Sequence, residues 1–299
     1  MIMPTKYRLP DATRLGAVRL AVMDLERSLG YYREVLGFAL VDRSEDAAAL
    51  GAAGGGALVE LRARAGTEPA PLRPRLGLYH FAVLLPSRVA LGRFLAHLTS
   101  HGVRAGASDH LVSEALYLRD PDGHGIEVYA DRPRAGWRYR RGEIVMETLP
   151  LDRTDLTLAG GGEPWTGMLA GTVIGHVHLH IADIEHAARF YQAALGFDVT
   201  LRSYPGALFL SAGGYHHHQG LNTWAGPDAV RPAGNEARLL EWEIVLPSTE
   251  EVDAAARSLA DAGHAISGTG QGWTAEDPWG TALRVRSDGA KSRVPEARV

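Results

Sequence analysis

Cysteine is absent from all 299 residues, which excludes disulfides, thiolate metal sites and a cysteine nucleophile. Any metal must therefore be held by His, Asp, Glu or water. Long runs of one charge are also missing. A net charge of −4 without a basic tract argues against nucleic acid or a membrane surface as the main partner. No apolar stretch approaches the ~20 residues that cross a bilayer. Residues 1–10 lack the apolar core and small-residue cleavage site of a signal peptide, so a cytoplasmic protein is expected. What remains is ordinary for a globular chain, with 45% hydrophobic and 22% charged residues. The length suggests about two domains.

Internal repeats organise the chain. Asp24-Leu25-Glu26, leading to Tyr32 and Leu36-Gly37-Phe38, recurs as Asp183-Ile184-Glu185, Tyr191 and Leu195-Gly196-Phe197. Leu84-Leu85-Pro86-Ser87 recurs as Val245-Leu246-Pro247-Ser248, and Asp120-Pro121-Asp122-Gly123 as Asp277-Pro278-Trp279-Gly280. Each half thus holds two similar units. Val18, Leu20 and Val22 alternate as in a strand. Asp24 stands at a helix N-cap, Leu25, Leu29, Tyr32 and Leu36 follow at helical spacing, and Gly37 ends the helix. Further strands separated by Gly-rich turns complete a βαβββ unit. The units span roughly 14–64, 76–131, 173–226 and 238–288. Two domains are expected at 11–132 and 173–290. The linker at 133–172 carries Trp137, Trp165 and Met168, which predicts that part of it packs.

Four such units, with Leu-Gly-Phe closing the helix of units one and three, resemble the vicinal oxygen chelate superfamily. That superfamily includes glyoxalase I, the bleomycin- and fosfomycin-resistance proteins and the type I extradiol dioxygenases. The resemblance covers nearly the whole chain. It implies an α+β fold whose four βαβββ units form paired open barrels, with metal ligands on the first and last strands of a unit. Those positions are Ala17 and His176 in units one and three, His80 and Glu241 opening units two and four, and Glu127 and Arg284 closing them. Units one and four are depleted of ligands. His80, His176 and Glu127 form the two-histidine, one-carboxylate set of non-haem iron(II) oxygenases, with manganese as an alternative ion. Units two and three are therefore expected to share a barrel, within one chain or across subunits, although adjacent pairing is the simpler arrangement. On residues 175–181, His176, His178 and His180 share one strand face while Val177, Leu179 and Ile181 share the other. The histidine face should line a polar cavity.

One segment narrows the chemistry. His110, Leu116-Tyr117, Asp120-Pro121-Asp122-Gly123 and Glu127 resemble, in order and spacing, the ring-cleavage motif of extradiol dioxygenases. Ser108 departs from that motif at a position outside the chemistry. The second copy has Thr274 and Arg284 in place of Tyr117 and Glu127. By this resemblance Tyr117 and His110 hydrogen-bond the substrate oxygens. The Gly213-Gly214-Tyr215-His216-His217-His218 segment is similar to the paired histidines of related dioxygenases, which implies His217 as the acid–base residue, with His216 as second choice. Imidazole suits that role because its unperturbed pKa of ~6.5 lets it accept and donate near neutrality. The resemblance thus implies an iron(II) extradiol catechol dioxygenase of aromatic catabolism, with catechol and O2 as substrates and a homo-oligomeric assembly. Two alternatives are a glyoxalase-type isomerase or transferase, in which His218 would complete a four-ligand site, and a metal-free binding protein of the same fold.

Overall fold

The computed structural model describes residues 7–268 and 272–289, apart from 72 and 74. Unit one runs β1 (Arg14–Val22), α1 (Leu25–Gly30), β2 (Ala39–Arg43), β3 (Ala47–Gly51) and β4 (Ala57–Ala63). Unit two runs β5 (Gly77–Leu84), α2 (Arg88–Ser100), β6 (Gly106–Asp109), β7 (Ser113–Arg119) and β8 (Gly125–Asp131). The connecting segment holds three two-residue strands, β9 (Tyr139–Arg140), β10 (Glu143–Ile144) and β11 (Leu149–Pro150), and the helix α3 (Arg153–Ala159). Unit three runs β12 (Val173–His180), α4 (Ile184–Ala187), β13 (Asp198–Leu201), β14 (Ala207–Ser211) and β15 (Gln219–Asn222). Unit four runs β16 (Leu239–Leu246), α5 (Thr249–Asp261), β17 (Gly272–Glu276) and β18 (Ala282–Ser287). Where β6 stands in unit two, unit four has an isolated bridge between Ser267 and Thr274. Gly263 and Gly268 flank that stretch at positive φ, which weakens strand continuity.

The expected caps are present. Asp24 accepts the Arg27 N–H and Asp183 accepts the His186 N–H, satisfying otherwise unpaired first-turn donors. Gly37 and Gly196 end these helices at φ +87° and +95°, where a side chain would be strained. A Cβ on Gly37 would also meet the backbone of Gly167 at 2.7 Å. The linker is packed as its apolar residues predict, with Trp137 and Met168 buried.

Strand pairing is not sequential. One curled sheet has the order β17-β18-β16-β1-β4-β3-β2, and the other β11-β6-β7-β8-β5-β12-β15-β14-β13. Units one and four therefore share a sheet through antiparallel β1 and β16, while units two and three share the other through antiparallel β5 and β12. This second pairing forms within one chain. Parallel pairs β1/β4, β5/β8, β12/β15 and β16/β18 join the first and last strand of each unit.

The repeated Asp-Pro-x-Gly turn explains how the two sheets are tied together. After α1 and α4 the chain widens into π-helical turns at Tyr31–Val35 and Ala188–Ala194. The Tyr32 hydroxyl donates to Asp120 at 3.1 Å, and the Tyr191 hydroxyl donates to Asp277 at 2.9 Å. Each tyrosine thus reaches from its own sheet to the turn of a unit in the other. Asp120 also accepts the backbone N–H groups of Asp122 and His124, and the His124 ring N–H at 2.8 Å. A buried carboxylate with this many donors holds the turn that precedes Glu127.

Candidate metal centre

Alternation along β12 puts Val177 and Leu179, and Ile181 just beyond the strand, into the apolar core. It turns His176 and His178 to the other face, where they line a cavity of about 250 Å3. β5 supplies His80 and β8 supplies Glu127 to the same cavity. The three donor atoms converge. His80 Nε2 and His176 Nε2 lie 3.1 and 3.2 Å from one Glu127 oxygen, and 3.3 Å from each other. Three nearly equal separations let all three donors reach one ion from the same side. Among the described residues, this is the group of buried His and acidic side chains close enough to share a metal, and it has three members.

The donor chemistry fits a divalent cation. Glu127 is 3% exposed, and its ion-pair partners are the two imidazoles. Burial alone would raise its pKa, but the field and hydrogen bonds of His176, then of His80, hold its carboxyl well below the usual range. For His176 burial dominates and pushes the ring down to about 4 against the pull of Glu127. Near neutral pH the carboxylate is thus charged while the His176 lone pair is free. A buried carboxylate requires compensating positive charge, and a neutral imidazole is the form that ligates metals. One divalent ion meets both requirements.

Around this triad the other expected residues take distinct positions. Tyr117 faces Glu127 across β7 and β8. Its hydroxyl lies 2.6 Å from His110 Nε2, while His110 Nδ1 lies 2.7 Å from the Glu147 carbonyl. A carbonyl can only accept, so His110 Nδ1 carries a proton and the ring is fixed with Nε2 against the Tyr117 oxygen. Burial first, then the nearby Glu127 charge, push the Tyr117 phenol well above its ordinary pKa; it stays a donor. His217 enters the cavity opposite, its ring centroid 4.1 Å from that of His176. Burial, followed by neighbouring histidines, pushes its pKa well below the ordinary value. His216 Nδ1 approaches His217 Nδ1 at 2.7 Å.

Two histidines belong elsewhere. His218 Nδ1 accepts the Ala212 N–H at 3.2 Å, and its ring packs on Tyr215 rather than lining the cavity. It is therefore not a fourth ligand. His180 and His178 are bridged by Asn222, whose oxygen accepts from His180 Nδ1 at 2.7 Å while its amide donates to His178 Nε2 at 2.9 Å. His180 faces a neighbouring pocket lined by Arg119 and Arg238.

The cavity walls carried little signal in the sequence. Met146, Glu147 and Thr148 of the linker roof it, and Tyr79, Val112, Tyr204, Phe209 and Trp224 line its sides. Thr148 Oγ1 and the Tyr204 hydroxyl meet at 3.1 Å across the rim. Because β11 pairs with β6, the linker is held against the barrel. The volume lies just below the ~300–1,000 Å3 of drug-sized ligand sites, a size suited to one small ring.

Comparison with known proteins agrees with this construction. The family model described as the glyoxalase/bleomycin resistance protein/dioxygenase superfamily matches residues 14–128 and 173–285. A catechol-2,3-dioxygenase of Bacillus subtilis (strain 168) is 45% identical over 271 residues, covering 90% of this chain and 95% of the relative. Among solved structures, a proposed dioxygenase of Bacillus subtilis superimposes with a TM-score of 0.66 at 13% identity, covering 95% of this chain and 87% of that one. Glyoxalase I of Zea mays gives 0.54 at 18% identity, covering 92% of each chain. The two structural likenesses concern the fold.

Proposed function

The chain belongs to the glyoxalase/bleomycin resistance protein/dioxygenase superfamily, and we propose that within it the chain is an extradiol catechol 2,3-dioxygenase. The observation that carries this reading is the convergence of His80, His176 and Glu127 beneath a hydrogen-bonded Tyr117–His110 pair, with His217 opposite. His80, His176 and Glu127 would hold iron(II), with manganese(II) able to take the same oxygen and nitrogen donors. When bound, the ion supplies positive charge that acidifies a catechol hydroxyl and a redox-active centre for dioxygen.

The remaining steps are performed by this chain's own groups. Phe209, Met146, Val112 and Trp224 enclose the ring and displace water from its faces, which strengthens every electrostatic contact inside. Tyr117, its oxygen fixed by His110, stands beside Glu127 to hydrogen-bond a substrate oxygen. His217 takes the proton of a catechol hydroxyl at Nε2 and later returns it. The overall reaction consumes one catechol and one O2. It opens the ring next to the diol and leaves both oxygen atoms in a 2-hydroxymuconic semialdehyde.

We also propose that the chain is a homo-oligomer acting in the cytoplasm. Strand β2 is an exposed sheet edge bearing Leu40 and Val41, a surface that association would cover. A reducing compartment keeps iron divalent, and a cysteine-free chain needs no oxidising one. No described helix is long and apolar enough to cross a membrane.

The test is oxygen uptake with a panel of catechols and added iron(II), alongside metal analysis, for the wild type and Glu127→Ala. Uptake matched to a yellow ring-fission product, both lost with the metal in the variant, is expected. A wild type that binds iron but consumes no oxygen with any catechol refutes the proposal.

A further inference from the structure

Asp131 ends β8, four residues beyond Glu127, and lies outside the ring-cleavage motif. Its side chain is a quarter exposed, and His216 against it is fully buried. His216 Nε2 lies 2.9 Å from Asp131 Oδ1, and His216 Nδ1 lies 2.7 Å from His217 Nδ1. The Tyr215 hydroxyl donates to the same aspartate oxygen at 3.2 Å, and the Tyr129 and Tyr215 hydroxyls meet at 2.7 Å. The Thr200 hydroxyl donates to the His216 carbonyl at 2.7 Å, and the Trp137 ring packs at 5.4 Å from the His216 ring. His216 is thus held from three sides, with both ring nitrogens engaged.

We infer that Asp131 and His216 are positioning residues that dictate which nitrogen of His217 faces the cavity bare. With one ring proton on each histidine, the chain of contacts leaves one consistent arrangement. An ionised carboxylate can only accept, so His216 Nε2–H donates to Asp131. Its single ring proton used there, His216 has a bare Nδ1, which accepts from His217 Nδ1–H. His217 therefore presents an unprotonated Nε2 to the cavity, the form needed to take a proton from a substrate hydroxyl. Free histidine favours the opposite tautomer, protonated at Nε2, which would point a donor at the substrate. The arrangement also supports charge. When His217 accepts a proton at Nε2, its Nδ1 proton can shift toward His216, placing the positive charge beside the Asp131 carboxylate. The chain then holds the one proton taken from the substrate hydroxyl until His217 returns it.

The kinetic consequence rests on the ring-cleavage reading, whereas the tautomer pattern concerns the metal-free chain whatever reaction it performs. The first arm of the test is therefore spectroscopic. Protein labelled with 15N-histidine, stripped of metal and held at about pH 8, where free imidazole is neutral, is examined by two-bond 1H–15N correlation. His216→Asn and His217→Asn variants assign the signals. The expected pattern is protonation of His217 at Nδ1 and of His216 at Nε2. His217 protonated at Nε2 overturns the inference.

The second arm compares Asp131→Ala with Asp131→Asn. Loss of the acceptor in the alanine variant should erase the pattern and reduce kcat per bound iron by about 10–100-fold, the usual cost of removing such an outer partner. KM and iron content should stay within about twofold. The asparagine variant keeps an acceptor oxygen, so it should keep the pattern and recover part of kcat. An alanine variant with unchanged kcat per iron, or with a loss accounted for by iron content, overturns the inference. If the wild type turns over no catechol, the ring-cleavage reading fails and the tautomer arm alone decides.

Discussion

Replacing His217 by Ala removes the proposed acid–base group while leaving every metal ligand in place. General acid–base catalysis contributes about 100–10,000-fold, or about 2.7–5.5 kcal/mol of barrier. Two features of the site narrow that range. The ring lines the cavity, so its removal opens space continuous with the substrate pocket. A water molecule there can carry a proton in place of the imidazole, which favours the lower half, about 100–1,000-fold. Metal binding should persist, because strand pairing sets the position of His176. β12 lies between β5 and β15, and His217 touches His176 through ring packing, not a hydrogen bond. Oxygen uptake, product absorbance and iron content should be measured on the same preparations over a range of catechol concentrations. A large fall in kcat with iron stoichiometry and KM nearly unchanged is expected. Unchanged turnover per bound iron would remove His217 from the chemistry, and a loss wholly explained by missing iron would make its role structural.

Three further outcomes follow from other parts of the molecule. The cavity lining includes Glu127 and Glu147 but no Lys or Arg, so a ring bearing a carboxylate would be desolvated without a counter-charge. Its kcat/KM should be at least about 10-fold below that of a methyl-substituted catechol, about 1.4 kcal/mol, and a preference for the acid would refute this. The buried Asp120–His124 pair should shape stability against pH. For His124 burial opposes protonation, but Asp120 outweighs it and raises the folded pKa, so this stabilisation is full below the unfolded value of ~6.5 and fades as pH rises through the folded one. For Asp120 burial is likewise outweighed, by His124, so its stabilisation is present above ~3.9 and fades as pH falls through the lowered folded value. The difference in melting temperature between wild type and His124→Ala should therefore be largest between about pH 4 and 6.5, and a flat difference up to alkaline pH counts against the pairing. In the other sheet, Arg19 is buried between Glu60 at 2.7 Å and Glu241 at 2.6 Å. Arg19→Ala should destabilise the fold by about 3–5 kcal/mol, with iron content per folded molecule unchanged in a chemical-denaturation series.

The last contrast shows why some features were legible in the sequence and others were not. Duplication made the architecture readable, because Asp24 and Asp183 cap equivalent helices and Asp120 and Asp277 hold equivalent turns. Divergence between the copies made the ligands readable. Ala17 stands where His176 does and Arg284 where Glu127 does, so one pair of units retained metal donors. In the other pair, Arg19 occupies the position equivalent to His178, and Glu241 the one equivalent to His80; there a guanidinium supplies the positive charge that buried Glu60 and half-buried Glu241 demand. The same two strand faces are thus stabilised by a protein cation in one sheet and fit a metal in the other. Local pattern reveals what a strand offers, but not what crosses the barrel to meet it. The roof comes from Met146–Thr148 in the linker, and Asp131 acquires its partner His216 from a loop 85 residues away. Neither relation has a period or spacing, since both arise when β11 pairs with β6 and when β5 pairs with β12. The groups placed to bind an ion could be read along the chain, whereas those placed to orient and enclose a substrate became visible once the sheets closed.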